Sequence, residues 1–248
     1  MKKFNKKLIN TIYICIVIFI LINIYILLKK NNNIKENFKL TRNKYIIITT
    51  SLIEKNFEER KIEYIKGITS VLNRCKDNNY IIIIVENNGK RETFLDEFNI
   101  PVLYTNNNNL DTENKGVKEL HDVLECIDNF NIQDEDFIIK MTGRYFLNEK
   151  SLFFDICDRI NNTEYDTVIK YGWWEKPSSI KINDCITGLI GLKCKYIKKI
   201  NRSKDNKDPI EWEWAKITIP INDDKVKIID NLGIYIKPAN DYLSYILI

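Results

Sequence analysis

The sequence predicts a three-layer α/β domain behind an apolar N-terminal segment, and three patterns carry that expectation. Short β-branched runs, apolar on both faces, stand at residues 45–50 (YIIITT) and 81–85 (IIIIV), and a further buried run follows at 137–141. Continuous apolar runs of this length read as buried parallel strands. Segments with apolar residues at helical spacing separate them, so strands and helices alternate along the chain. Upstream, residues 8–28 carry no charged side chain at all.

At ~1.5 Å rise per residue, that uncharged run spans the ~30 Å hydrocarbon core of a bilayer. A cleaved signal peptide would have an apolar core of only about 7 to 15 residues and a small-residue cleavage site. Lys29-Lys30-Asn31-Asn32-Asn33 is no such site. The expected organisation is a short tail (1–7), a transmembrane anchor (8–28), a polar stem (29–43) and one domain (44–248). Lys2, Lys3, Lys6 and Lys7 before the anchor face Lys29, Lys30, Lys35, Lys39 and Arg42 after it, so charge bias sets no orientation.

The remaining stretch, roughly two hundred residues, suits one α/β domain and its core, not two. The net charge of +4 is small, and the lysines are interspersed with acidic residues, a pattern without support for nucleic-acid binding. Beyond Cys15 in the apolar run, Cys75, Cys126, Cys157, Cys185 and Cys194 form no CxxC pair, which argues against zinc and against a disulfide framework. One or two bridges stay open, because Asn161-Asn162-Thr163 and Asn201-Arg202-Ser203 are sequons suited to a lumenal face.

Within the domain, the first strand is followed by a helical segment at 54–75 with Ile62, Ile65, Ile68 and Leu72 at helical spacing. The second strand, a short one at 102–104 after Pro101, and a polar loop at 106–109 come next. Asn114 opens an amphipathic helix with a stripe at Val117, Leu120, Leu124 and Ile127, His121 on the same side as a packed residue. The buried strand 137–141 precedes a helix at 149–160 with Leu152, Phe153, Ile156 and Ile160 inward. Later come a strand at 167–171, a loop bearing Trp173, Trp174 and Pro177, an apolar segment at 185–192, a helix opening at Asp208-Pro209, and closing strands at 226–229 and 233–236.

The stretch 114–147 is the most informative. An NKG turn (Asn114, Lys115, Gly116) opens a helix, and an acidic turn feeds the strand that exits through Thr142-Gly143-Arg144-Tyr145. Open α/β sheets bind phosphorylated ligands outside such carboxyl ends. This layout resembles the middle of nucleotide-sugar glycosyltransferases of the GT-A type, over roughly residue 44 to the C-terminus. The resemblance implies a mixed central sheet, a nucleotide-sugar donor, a glycan or lipid-linked acceptor, and a single-pass, type II protein with its domain lumenal or extracytoplasmic. GT-A enzymes usually hold a divalent metal on an Asp-x-Asp pair at this exit. Here that place reads Thr142-Gly143-Arg144, so the expectation is a transferase without a metal. An Mn2+ or Mg2+ ion at Asp134 and Asp136 is the rival, weakened because both precede the strand. An inactive, membrane-tethered carbohydrate-binding or scaffold protein of the same fold is the alternative.

Arg144 offers a planar fork of donors for phosphate oxygens, Gly143 close backbone approach, and Lys140 a point charge; a surface arginine after a core strand would look the same. Asn114, Lys115 and Gly116 suit a phosphate or donor hydroxyl at a helix start, or an ordinary helix cap. The resemblance implies that Thr49, Thr50, Glu86 and Asn87 at strand ends cradle base and ribose; turn chemistry alone would also favour Asn87-Asn88-Gly89. For the base that takes the acceptor's proton, the resemblance implies Glu211 first, at the start of a late helix, although Asp208-Pro209-Ile210-Glu211 also reads as a capping box; Asp184, before a segment like the acceptor-side loop of such enzymes, is second and Glu213 third. Trp173, Trp174 and Trp214 are candidate platforms for an acceptor sugar ring.

Overall fold

The first strand of the domain, β1 (Lys44–Thr50), lies at the centre of a sheet whose cores on its two faces are separated by simple alternation. Tyr45 and Ile47 point into one core and Ile46 and Ile48 into the other. This computed structural model describes residues 22–23, 42–76, 78–160, 165–172, 180–203, 205, 207–237 and 245–248. Apart from residues 22–23 the expected anchor lies outside the described residues, as do the tail, most of the stem, Trp173, Trp174 and the sequon at Asn161. Among the described residues no helix is long and apolar enough to cross a membrane.

After β1 come α1 (Phe57–Cys75), β2 (Tyr80–Glu86), β3 (Val102–Tyr104), α2 (Lys115–Asn129), β4 (Phe137–Thr142), β5 (Phe146–Leu147) and α3 (Leu152–Asp158). The second half holds β6 (Thr167–Ile169), β7 (Leu189–Lys193), α4 (Cys194–Ile197), α5 (Ile210–Thr218), β8 (Val226–Ile228), β9 (Ile234–Ile236) and β10 (Ile246–Leu247). The main sheet has the order β3-β2-β1-β4-β7-β6-β8. β3, β2, β1 and β4 are parallel, and β7 runs against both its neighbours. The expected mixed α/β sheet is therefore present. A small sheet has the order β10-β9-β5, with β5 following β4 after a short turn; its short strands β5 and β10 have too few residues to leave a periodic signal.

Helices α2 and α5 pack on one face of the main sheet and α1 and α3 on the other. The α2 stripe is as expected, with Val117, Leu120, Leu124 and Ile127 buried. The α1 stripe is rotated. Ile62 and Ile65 are exposed, and the face turned inward is Tyr64, Gly67, Ile68, Val71 and Cys75. The reason is Gly67: it lets α1 rest directly on the backbone of the β4–β5 turn, and that contact sets the helix phase. Leu152, expected inward, is exposed because α3 begins only there and turns Phe153, Phe154 and Cys157 to the core. The capping box at Asp208 does not form; Pro209 is the N-cap of α5, without a side-chain cap bond. Cys75, Cys126, Cys157, Cys185 and Cys194 are all buried as free thiols.

A Cβ on Gly67 would lie 2.0 Å from the Gly143 carbonyl oxygen and 2.5 Å from that of Tyr145. Alanine is favoured over glycine inside a helix by roughly 1 kcal/mol, whereas overpacking against backbone costs about 1–3 kcal/mol or more. Gly67→Ala is thus expected to lose about 2 kcal/mol of stability in urea unfolding. A variant as stable as the parent would show that α1 does not set the β4–β5 turn.

Candidate active site

Parallel register brings the carboxyl ends of three strands level: Thr50 pairs with Glu86, and Thr49 with Thr142. The chain steps outward from β1 to β2 and β3, then crosses back to β4 on the other side of β1. Such a switch point leaves a crevice above the strand ends. Here it is a cleft of about 560 Å3, walled by Thr49, Thr50 and Asn87 from the strand ends, by Lys115, Glu119 and Asp122 from α2, and by Arg60 and Arg144. A second cavity of about 960 Å3 adjoins it, with Asp184, Ile186, Trp212 and Ile248 in its walls. Tyr145, Thr187, Gly188, Pro209 and Glu211 line both.

Arg144 stands in the cleft wall, its guanidinium 3.6 Å from Glu63 of α1. Glu63 is buried and also lies 3.5 Å from Lys237, so Arg144 is steered by a carboxylate behind it. Arg60 joins it in the cleft, donating to the Ser51 carbonyl at 3.4 Å. The sequence reading missed Arg60 because it lies within a charged helical segment with no motif around it.

Lys140 is placed differently from the expectation. Residues 138, 140 and 142 of β4 share the face toward α2, so this lysine points beneath the cleft, not into it. Its side chain is 2% exposed, and its ammonium meets Glu119 at 2.8 Å, the Thr187 carbonyl at 2.8 Å and Thr142 Oγ1 at 3.0 Å. Gly143 is also not an open backbone for a ligand: its N–H donates to the Thr49 carbonyl at 2.9 Å, and a Cβ would press on Tyr64 and Thr49 at 3.0 Å. Its role is to seat α1.

Asn114 is a helix cap. Its side-chain oxygen accepts from the N–H groups of Gly116 at 3.1 Å and Val117 at 3.3 Å, which takes two first-turn donors away from an incoming anion. Its amide nitrogen donates to the Asp208 carbonyl at 3.1 Å, tying the start of α2 to the start of α5. Gly116 serves the same junction, since a Cβ there would fall 2.2 Å from Ile210. Lys115 alone of the three is exposed at the cleft.

Two carboxylates that the motif reading did not single out sit in the cleft wall. Glu119 accepts hydrogen bonds from Thr49 and Thr142 besides its ion pair with Lys140. Burial pushes its carboxyl up, but the charge of Lys140 and these hydrogen bonds outweigh that and hold it below its usual range. Asp122, fully buried one turn further along α2, accepts from Thr105 at 2.6 Å, Asn107 at 2.9 Å and Asn87 at 3.1 Å. Burial dominates there and raises the carboxyl to about 7, against the pull of its three donors. Neither carboxylate stands at a position of the α2 stripe, so periodicity offers no signal for them; the lysine inside β4 is the one sign that a partner carboxylate exists.

Glu86 is withdrawn from the cleft. It is fully buried and accepts from Thr50 at 2.7 Å, from the Leu52 N–H at 3.0 Å and from Asn88 at 2.7 Å, with Arg91 at 3.3 Å. It pins the β1 and β2 ends together. Asn87, by contrast, lines the cleft while donating to Asp122.

On the other side, Glu211 in the first turn of α5 belongs to both cavities, and Asp184 to the larger one. Burial raises the Asp184 carboxyl, partly offset by the Cys185 N–H. Glu213 is buried and paired with Lys216 at 2.7 Å, away from both cavity walls. Trp214 is core, 2% exposed, because Ile210, Trp214 and Thr218 face the sheet at helical spacing. Trp212, on the outer side of the helix, is the tryptophan in the cavity wall, 43% exposed.

Asp134 and Asp136, the rival seat for a divalent cation, stand away from the exit of β4. Asp136 accepts from the Asn43 and Gln133 N–H groups at 3.0 and 2.9 Å, and Asp134 pairs with Lys198 at 2.7 Å, both at the amino end of β4 and so across the sheet from the cleft. Among the described residues no three His, Cys, Asp or Glu side chains gather to hold a metal.

With its single reversed strand β7 beside β4 and its cleft at the parallel carboxyl ends, the domain has a GT-A-like fold. It is similar to a provisionally assigned nucleotide-diphospho-sugar transferase from Desulfovibrio desulfuricans G20, at 11% identity and a TM-score of 0.43, over 76% of this chain and 80% of that one. A glycosyltransferase involved in glycosylation of the major capsid of PBCV-1 is similar at 11% identity and a TM-score of 0.44, over 76% and 82%. The mannosyltransferase PcManGT from Pyrobaculum calidifontis, solved with GDP-Man and Mn2+, is similar at 9% identity and a TM-score of 0.49, over 82% of this chain and 60% of that one. No protein-family model and no curated protein matches the chain. Likenesses this distant leave the chemistry to be read from the chain's own side chains.

An acid whose folded pKa is raised costs the native state stability as pH climbs from its unfolded value through its folded one. With Asp122 near 7 and an unfolded value of about 3.9, parent minus Asp122→Asn stability is expected to fall between pH 5 and pH 8 by about 2–3 kcal/mol. Urea unfolding at the two pH values measures it; a difference that rises with pH would mean Asp122 is held ionised.

Proposed function

We propose that the chain transfers a glycosyl group from a nucleotide-sugar donor to a glycan or lipid-linked acceptor, without a metal ion. The observation that carries this reading is Glu211, a carboxylate in the shared wall of two adjoining cavities. One cavity has the cations for a diphosphate, and the other has the space and the exposed indole of Trp212 for an acceptor. A group between them is placed to act on both.

In this reading the donor's diphosphate lies against Arg144, Arg60 and Lys115. Its charge grows as the bond from the anomeric carbon to the phosphate oxygen breaks, and the arginine forks meet that charge. Glu63, behind Arg144, keeps the fork oriented as the leaving group departs. Glu211 accepts the proton from the acceptor hydroxyl while that oxygen bonds to the anomeric carbon. Asp184, with its carboxyl raised by burial, holds the acceptor by hydrogen bonds. Lys140 acts indirectly, fixing Glu119 and the Thr187 carbonyl on the two sides of the divide.

The uncharged run at residues 8–28 supports a single membrane anchor, and the sequon at Asn201 is exposed, as a lumenal or extracytoplasmic domain of a type II protein would have it.

Release of nucleoside diphosphate from a panel of nucleotide sugars is expected to continue in excess chelator. Turnover abolished by chelator and restored by Mn2+ would defeat the metal-free reading. Glu211→Gln is expected to lower turnover about 10²–10⁴-fold with donor KM changed little. Arg144→Ala should cost about 10²–10³-fold, with added Mn2+ giving no rescue. Donor binding without turnover in the parent protein would favour the inactive carbohydrate-binding alternative.

A further inference from the structure

Tyr145 follows Arg144 in the turn after β4 and, like Glu211, lines both cavities. Two glycines seat it there. Its ring lies over Gly188, where a Cβ would fall 2.3 Å from Cε2 and 2.8 Å from Cδ2 of the ring, and its carbonyl oxygen stands 2.5 Å from the place of a Cβ on Gly67. The Tyr145 N–H donates to the Thr142 carbonyl at 3.0 Å, and the Thr142 N–H in turn donates to the Gly188 carbonyl at 2.9 Å. Ring and backbone are thus both held, and only the hydroxyl is left to act.

That hydroxyl differs from those of the other enclosed tyrosines. Tyr64 accepts from the Ser51 N–H at 2.9 Å, Tyr80 donates to Asp158 at 2.9 Å, Tyr104 to Asp96 at 2.7 Å and Tyr196 to Asp166 at 2.8 Å, and Tyr171 meets Thr218 at 2.7 Å. Among the described residues no group hydrogen-bonds the hydroxyl of Tyr145. Burial raises its pKa, Arg144 offsets this only in part, and the carboxylates of Glu119, Glu211 and Glu63 raise it further, so the phenol keeps its proton and faces the cavities as a donor. An enclosed tyrosine hydroxyl ordinarily has a partner, and a donor held rigidly in a cavity wall serves a ligand without reorganising.

We infer that Tyr145 is a specificity-determining residue for the donor, its O–H donating to an oxygen of the transferred sugar. This rests on the proposed transferase reading, in which the diphosphate occupies one cavity and the acceptor the other, so that the unit changing hands lies where the two meet, beside Tyr145. Arg144, Arg60 and Lys115 hold the part that a nucleotide sugar shares with its nucleoside diphosphate. Tyr145 holds the part that only the intact donor has. Gly188 is a positioning residue, because any side chain there displaces the ring.

The test is calorimetric titration of the full-length chain with UDP-glucose, UDP-galactose, UDP-N-acetylglucosamine, dTDP-rhamnose, GDP-mannose and GDP-fucose, and with UDP, dTDP and GDP. Tyr145→Phe keeps the ring on Gly188 and removes only the hydroxyl. For the nucleotide sugar that the parent binds, this variant is expected to lose about 2- to 12-fold in affinity, the worth of one hydrogen bond. Its affinity for the matching nucleoside diphosphate should stay within about twofold, which also shows that the site is folded. Gly188→Ala, which keeps the hydroxyl but moves the ring, should show the same selective loss. Equal losses for nucleotide sugar and diphosphate, or no loss for either, overturn the inference and leave the transferase reading standing. A parent that binds none of the nine compounds defeats both.

Discussion

A lysine ammonium cannot stay in the middle of a buried strand without partners, and the disposition of the cleft follows from how Lys140 finds them. Its position in β4 sends it to the α2 face, where Glu119 meets it at 2.8 Å. Removing one member of such a pair leaves an uncompensated buried charge, at a cost of about 3–5 kcal/mol. The pair therefore fixes the distance and phase of α2 over the sheet. Thr49 and Thr142, level with one another on β1 and β4, close around the same carboxylate. Through the Thr187 carbonyl the network reaches the wall shared with the second cavity. A central polar cluster that is fully satisfied in this way stiffens what surrounds it.

Saturation of Glu119 and Asp122 by internal donors also explains the charge character of the cleft. Their oxygens already serve Lys140, the threonines and the asparagines, which leaves Arg144, Arg60 and Lys115 facing the open space together with the carboxylates of Glu113 and Glu211. Arg144 and Arg60 come from different elements, the β4–β5 turn and α1, and glycine at two positions allows those elements to touch. Gly67 and Gly143 bring backbone against backbone; side chains there would lift α1 and with it Glu63, which steers Arg144. Packing far from any reacting atom thus sets where the guanidinium stands.

Much of this was legible in the chain order. The alternation of strands and helices, the burial of 45–50 and 137–141, the α2 stripe and the crevice at the exit of β4 all follow from local periodicity and the carboxyl-end rule, which also point to Arg144, whereas Glu211 follows from the GT-A resemblance alone. The readings that shifted share a cause. Ile62 and Ile65 matched helical spacing as well as Tyr64, Ile68 and Val71 do, and spacing alone carries no phase. The same ambiguity exchanged Trp212 for Trp214 on α5. Lys140, Gly143, Asn114 and Gly116 were chosen as ligand groups by residue type, but each is engaged by a residue distant in sequence, where no local pattern points.

What the sequence by itself determined is the layered α/β class, the order of its elements and the acid and base types available at the cleft, because these depend on periods of two and 3.6 residues and on turn chemistry within a few positions. Only the tertiary structure decided which face of α1 and α5 is buried, that Glu119 belongs to Lys140, that Asp122 is sealed in the cleft wall, and that Glu211 stands between two cavities. Those outcomes rest on contacts between residues far apart in the chain, such as the backbone approach of Gly67 to Gly143 and the tie from Asn114 to Asp208. A charge, a glycine or an indole acquires its role from what the fold puts opposite it.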